Sequence, residues 1–377
     1  MSGAPQRNPT VDVAKAFGII LVVFGHNWIV DHRYGELARV MSSFRMPLFF
    51  FVSGVFLTDS KRFGAFVLKK ADALLKPYFM VMAAVGIVLI ANGSVSGTEY
   101  LAKIAYGNGQ SIHAAAGMAM LPLWFLPTLF VTVVFSLTIL LLAKQTSSKT
   151  AFLVLSAVIL LGVGIRYVDY FLWLDISRLA QGDGGFWADF WADKRLFGLP
   201  FSVDLLGITA GFMLMGHLMR NQVKTMKFDP ILFFVALAIF ASLHYFYDES
   251  IDLNKRYYGH WLIASLQAII GIYLTISASE LVSRSEVFRR FMMYIGSAGL
   301  FILMFHQLFQ YNIFNWLSYW SEMNYMNGLV ALGAGVALPL LLLEVVKRQH
   351  LLSALLLPMK PKNFPEKQVS PIVEDTR

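Results

Sequence analysis

Two side chains near the start of the chain have the types and spacing for proton-transfer chemistry beside a fixed cation. Lys15 and His26 lie in the run Val11-Asp12-Val13-Ala14-Lys15 through Gly25-His26-Asn27. At 100° per residue their separation is three helical turns with about 20° left over, and about 16–17 Å of rise. A helix therefore carries both on one face, the amine at one end and the imidazole at the other. An imidazole titrates close to neutrality, which suits it to take a proton from a hydroxyl. The plainer alternative is that Lys15 snorkels to an interface and His26 is a hydrogen-bonded interfacial residue.

A second cluster follows in Ser42-Ser43-Phe44-Arg45-Met46-Pro47-Leu48-Phe49-Phe50-Phe51-Val52-Ser53-Gly54. Arg45 cannot shed its charge, so in an apolar setting it must face a cavity, an anion or a carboxylate. Pro47 interrupts the run and frees backbone groups that protein or a wet cavity has to satisfy. Ser53-Gly54 suits a close helix contact. His306 stands in Leu303-Met304-Phe305-His306-Gln307, and Trp124 in Leu123-Trp124-Phe125-Leu126-Pro127. A structural histidine and an interfacial tryptophan are the simpler readings of these two. Asp204, Glu280 and Glu344 read as helix-end or packing carboxylates. His32, His113, His244, His260 and His350 have no partner at metal-ligand spacing, and neither an HExxH motif nor a phosphate-cradling glycine loop occurs. With no cysteine, thiolate zinc sites, disulfides and a cysteine nucleophile are excluded.

The elements that must hold these residues are membrane helices. Of 377 residues, 57% are hydrophobic and only 14% charged, against roughly 25% charged in soluble domains. That deficit excludes a soluble enzyme, a nucleic-acid-binding domain and a disordered chain. About 20 apolar residues are needed per crossing. Ten stretches qualify, near 11–30, 40–58, 76–91, 122–143, 150–165, 198–219, 229–246, 260–281, 292–311 and 328–346. The expected fold is an all-α polytopic membrane protein of about ten transmembrane helices. With the N-terminus cytoplasmic, roughly two thirds of the 31 Lys and Arg residues fall on the cytoplasmic side, as the positive-inside rule requires. Both termini are then cytoplasmic.

The first apolar stretch opens with Asp12 and Lys15 and has no small-residue cleavage site after it, so a cleavable signal is not expected. The outside segment 166–197, rich in aromatic and acidic residues, reads as a lid or an interfacial segment. Residues 1–346 are expected to form one transmembrane domain and 347–377 a solvated cytoplasmic tail.

Val11 through His26, then Phe44-Arg45-Met46-Pro47-Leu48-Phe49-Phe50 and Ser53-Gly54, resemble the membrane acyltransferase 3 family, and within it the fucose 4-O-acetylase-like group of glycan O-acetyltransferases. Lys15 and His26 match the family's motif of a basic residue, ten residues and a histidine. Leu123-Trp124-Phe125 matches its outer-edge tryptophan, and Leu303 through His306 its late-helix histidine. Two features depart from the pattern. Arg45 stands where the family often has histidine. The cytoplasmic arginine pair is replaced by Lys69-Lys70, with Lys76-Pro77 beyond it, and lysines meet phosphate only as point charges.

The resemblance implies acyl transfer, most often of acetyl, from cytoplasmic acyl-CoA to a hydroxyl of a lipid-linked or extracytoplasmic polysaccharide sugar. His26 is then the general base and Arg45 the group that stabilises the oxyanion or orients the acceptor. Lys15, Lys69, Lys70 and Lys76 would meet the anionic end of the donor, and Asn27, Trp124 and His306 the acceptor. Acetyl-CoA is a co-substrate, with no permanently bound cofactor and no metal expected. The partners implied are the donor, a glycan acceptor, the lipid bilayer and other polysaccharide-assembly proteins, with no nucleic acid, in the cytoplasmic (inner) membrane. The competing class is a multi-span glycolipid or small-molecule transporter, whose buried charges would line an alternating-access path.

Overall fold

The computed structural model describes residues 8–27, 29–30, 35–58, 62–173, 198–321 and 325–359. Most of the aromatic segment expected at 166–197, and the tail beyond 359, lie outside the described residues.

Each of the ten apolar stretches falls on helix. The first, α1 (Pro9–Gly25), starts where Asn8 caps it by accepting from the Val11 amide at 3.2 Å, with proline at the first helical position. It stops at Gly25, short of the expected residue 30. His26 leaves helical geometry, and the Asn27 amide turns back onto the Phe24 carbonyl at 3.0 Å. The second helix, α2 (Gly35–Val55), runs unbroken through Arg45 and Pro47. This corrects the expectation of an interrupted span. A proline removes one backbone bond and bends a helix, and the turns on either side hold Pro47 in the buried face.

Next come α3 (Phe63–Ala91), α4 (Gly97–Tyr106) and α5 (Gly109–Ala116). The last two occupy a stretch that reads from sequence as an outside loop. A 3-10 turn, Met118–Trp124, leads into α6 (Phe125–Ala143), followed by α7 (Lys149–Trp173). A second such turn, Pro200–Leu205, opens α8 (Leu206–Leu218), and α9 (Arg220–Thr225) and α10 (Pro230–Phe246) follow. A short antiparallel ladder pairs β1 (Ile251–Asp252) with β2 (Tyr257–Tyr258). The chain continues through α11 (Trp261–Ser283), α12 (Glu286–Ser297), α13 (Gly299–Trp320), α14 (Tyr325–Arg348) and α15 (His350–Leu356). The ninth apolar stretch, expected as one span over 292–311, crosses the break between α12 and α13, which are bent by 77°.

Helices α2 and α8 pack backbone to backbone. A Cβ at Gly54 would stand 1.8 Å from the Met213 carbonyl oxygen, and one at Gly216 1.9 Å from that of Phe51. Small residues allow this approach, which membrane helices use where lipid offers no hydrophobic drive to associate.

By length and composition, six helical segments among the described residues can cross a bilayer, and seven if α12 and α13 form one bent span. The outward faces are apolar: Leu155, Val158 and Ile159 on α7 and Ile231, Phe234 and Val235 on α10 are all exposed. Stripes of this size face lipid. The chain is an all-α multi-pass membrane protein.

One buried ion pair fastens the hairpin to the bundle. Arg256 and Asp204, both with fully buried side chains, meet at 2.9 Å (Nε to Oδ2) and 3.2 Å (Nη2 to Oδ1), and Nη2 also donates to Ser202 Oγ at 3.2 Å. Phe201, Ser202 and Arg256 hold φ near +54°, +53° and +53° around it, conformations that non-glycine residues keep only when their surroundings over-determine them.

Candidate active site

A cavity of about 650 Å³ opens between the end of α1, the middle of α2, the turn before α6, the 250–255 hairpin and α13. His26, Asn27, Arg45 and Trp124 all line it. Trp124 is only 6% exposed, so it belongs to this wall and is no belt residue.

His306 stands behind the wall. Its ring centroid lies 5.4 Å from that of His26, with the planes inclined by 42°. Nδ1 of His306 faces two carbonyl oxygens, Leu303 at 2.9 Å and Ile302 at 3.1 Å. Carbonyls only accept, so Nδ1 carries the proton and Nε2 keeps its lone pair in the neutral ring. That Nε2 is buried and has no hydrogen-bond partner among the described residues. His26, at the C-cap of α1, is partly exposed to the cavity.

Arg45 lies on the last turn of α1. A Cβ at residue 25 would stand 1.7 Å from its Nη1, so the guanidinium occupies space that only glycine leaves open. The orphan carbonyls at the helix C-terminus carry partial negative charge and favour a cation there. Arg45 Nε is buried without a hydrogen-bond partner among the described residues. Asp252 on the hairpin supplies a carboxylate to the same cavity.

Asn27 is committed to the protein. Its Nδ2 donates to Gln310 Oε1 and the Gly328 carbonyl, both at 2.9 Å, and its Oδ1 accepts from the Ile29 amide at 3.1 Å. Gln310 in turn donates to the Val23 carbonyl at 2.9 Å. Asn27, which lines the cavity, thus also acts as a clamp that ties the end of α1 to α13 and α14.

A second cavity, of about 380 Å³, holds Asp12, Lys15 and Lys70. Lys15 Nζ lies 3.2 Å from Asp12 Oδ1 and 3.4 Å above the Phe56 ring. Lys69 is exposed and Lys76 pairs with Asp72 at 2.7 Å while donating to the Leu357 carbonyl at 2.6 Å. Neither reaches the cavity, so only one of the two adjacent lysines joins Lys15. The two cavities share three lining residues, Phe49, Phe125 and Leu303.

Sequence reasoning missed Arg39, Asp252, Asn254, Lys255, Gln307 and Gln310, all on the larger cavity. Gln307 and Gln310 had a signal, since Gln310 follows His306 at i+4 and Gln307 stands beside it in a largely apolar stretch. The hairpin residues had none, because loop polarity is ordinary. Arg39 is held by Asp248 at 2.7 Å, by Glu36 and by the carbonyls of His244 and Tyr247. Among the described residues no group of three His, Asp or Glu side chains is placed to hold a metal ion.

The arrangement can therefore take a proton, at an imidazole exposed to a polar cavity, and stabilise negative charge beside it, at a fixed guanidinium. No match to a curated protein or to a solved structure was found. The acyltransferase domain of the acyltransferase 3 type matches the chain over residues 8–344. A match across nearly the whole helical bundle, both cavities included, makes this chain a member of the acyltransferase 3 family of membrane acyltransferases.

Proposed function

We propose that the protein is an O-acyltransferase of the cytoplasmic membrane, with ten crossings and both termini inside. It moves an acyl group, acetyl in the first instance, from cytoplasmic acyl-CoA to a hydroxyl of a lipid-linked or extracytoplasmic polysaccharide, in the manner of the fucose 4-O-acetylase-like group. The observation that carries this reading is α1 itself. It presents Lys15 to one cavity and His26 to the other, and the cavities meet at a shared wall. CoA is anionic at its nucleotide end and reactive at the far end of a long thin arm, so such a helix spans the two demands of the donor.

His26 removes the acceptor hydroxyl proton as the oxygen attacks the thioester carbonyl. Arg45 faces the oxyanion of the tetrahedral intermediate. Collapse breaks the C–S bond, and the CoA thiolate leaves with the proton that His26 took. The lone pair on His306 Nε2 steadies the imidazolium formed next to it. Lys15 and Lys70 meet donor phosphate, and Trp124 offers a flat apolar surface to a sugar ring.

The test uses membrane vesicles from cells making the protein, given acetyl-CoA labelled in the acetyl group. Label entering the carbohydrate fraction with stoichiometric release of CoA thiol is expected. An intact thioester overturns the reading and leaves a transporter.

A further inference from the structure

We infer that Phe49 and Phe125 form an aromatic partition between the two cavities, which passes the acyl end of the donor, limits its length and keeps water from the thioester. The proposal rests on the acyl-transfer reading. Its basis is the shared wall: Phe49, Phe125 and Leu303 line the larger cavity on one side and the smaller one on the other. The two rings meet edge to face, with centroids 5.4 Å apart and planes at 66°. Phe50 backs Phe125 at the same distance. Phe125 and Leu303 are 3% and 4% exposed, while Phe49 is only partly buried.

Phe49 leans on α1 at Gly18, where a Cβ would lie 3.4 Å from its Cε2. Gly18 falls between Lys15 and His26, so the partition stands on the same helix between the amine and the imidazole. Where the two cavities meet, a donor held by its nucleotide end at Lys15 would reach toward His26 past these rings.

Rings without hydrogen-bonding atoms offer water no partner at the crossing point, and excluding water protects a reactive acyl group. In the transfer the sugar hydroxyl oxygen forms the new C–O bond, and the C–S bond breaks when the tetrahedral intermediate collapses. If water takes its place, the same bond breaks and the products are the free acid and CoA thiol. Apolar walls also discriminate by length, one methylene being worth about tenfold or more.

The experiment compares wild type, Phe49→Ala, Phe125→Ala and the milder Phe49→Leu. Vesicles receive labelled acetyl-CoA or labelled butanoyl-CoA, and label is counted in carbohydrate and in free acid, with vesicles carrying His26→Ala as background. In the alanine variants the free-acid share of acetyl turnover should rise, and the butanoyl-to-acetyl ratio should rise about tenfold. Phe49→Leu should fall between these and wild type, which guards against loss of folding in the alanine forms. Unchanged partition and unchanged length preference in variants that still transfer would overturn the partition alone. Absence of transfer in wild type would overturn the acyl-transfer reading and the partition with it.

Discussion

The imidazoles of His26 and His306 stand with ring centroids 5.4 Å apart, although one ends the first helix and the other lies deep in α13. His306 offers a lone pair and His26 offers exposure to the cavity. This division of roles leads to the first expectation. His26→Ala should lower acyl transfer by about 10²–10⁴-fold, the usual cost of losing a general base. Expression, membrane insertion and thermal unfolding should match wild type. Wild-type turnover in a folded alanine variant would remove the base from the mechanism.

The donor-binding role proposed for Lys15 can be tested separately from folding. Lys15→Ala should weaken binding of acetyl-CoA but leave binding of an acetyl-pantetheine thioester, which lacks the nucleotide, nearly unchanged. Lys15→Arg should preserve most of the affinity, since the charge remains. Equal weakening of both donors would mean that Lys15, with Asp12 and Phe56 around it, supports the bundle and reads no phosphate.

Gly25→Ala tests the guanidinium. The new methyl would collide with the far end of Arg45 at 1.7 Å, and a long side chain can swing aside without disturbing the helices. Turnover should fall about 10²–10³-fold, as when an oxyanion donor is lost, with thermal unfolding little changed. Arg45→Lys should not substitute for the arginine, because its ammonium lacks the planar fork. Full activity in Gly25→Ala would place Arg45 outside the chemistry.

Much of this was legible in the sequence, for a physical reason. A bilayer demands long apolar runs, so each helix announces itself, and a charge inside such a run stands out. His26 and Arg45 stood out that way, and Trp124 through the Leu123-Trp124-Phe125 resemblance; all three line the larger cavity. The pairing of His26 with His306 was hidden because it joins distant parts of the chain. The break at Ala298 and the helices α4 and α5 carry no strong local signal. Lys69 and Lys70 are a different case. Neighbours on a helix point about 100° apart, and here Lys70 lines the smaller cavity while Lys69 faces outward.

The Asp204–Arg256 pair predicts a stability effect. Asp204→Ala leaves a fully buried guanidinium uncompensated, at a cost of about 3–5 kcal/mol. Thermal unfolding in detergent should show a clear drop for Asp204→Ala and a smaller one for Asp204→Leu combined with Arg256→Met, which removes both charges. Equal losses in the two would mean that shape, and not charge, holds the hairpin.

Sidedness follows from the charge count. Cysteine placed at Ser94, just beyond α3, should react with a membrane-impermeant maleimide in cells whose outer barrier is permeabilised. Cysteine at Ser147, between α6 and α7, should react only after the cytoplasm is opened. Both positions are exposed, and the native chain has no cysteine to give background. Labelling of both from one side would reverse a helix between them and remove the basis for a donor and an acceptor arriving from opposite faces.

The clamp at Asn27 bears on how the protein is made. Its partners, Gln310 and Gly328, leave the ribosome long after α1 has entered the membrane, and domains are synthesised from the N-terminus at about 5–20 residues per second. Until α13 and α14 arrive, His26 lacks both its neighbouring imidazole and the anchor that fixes its turn. On the proposed reading, an unfinished chain therefore has no complete site with which to consume the donor thioester. Two separately expressed pieces, divided in the 144–148 loop, should each be inert and become active only when they meet in one membrane.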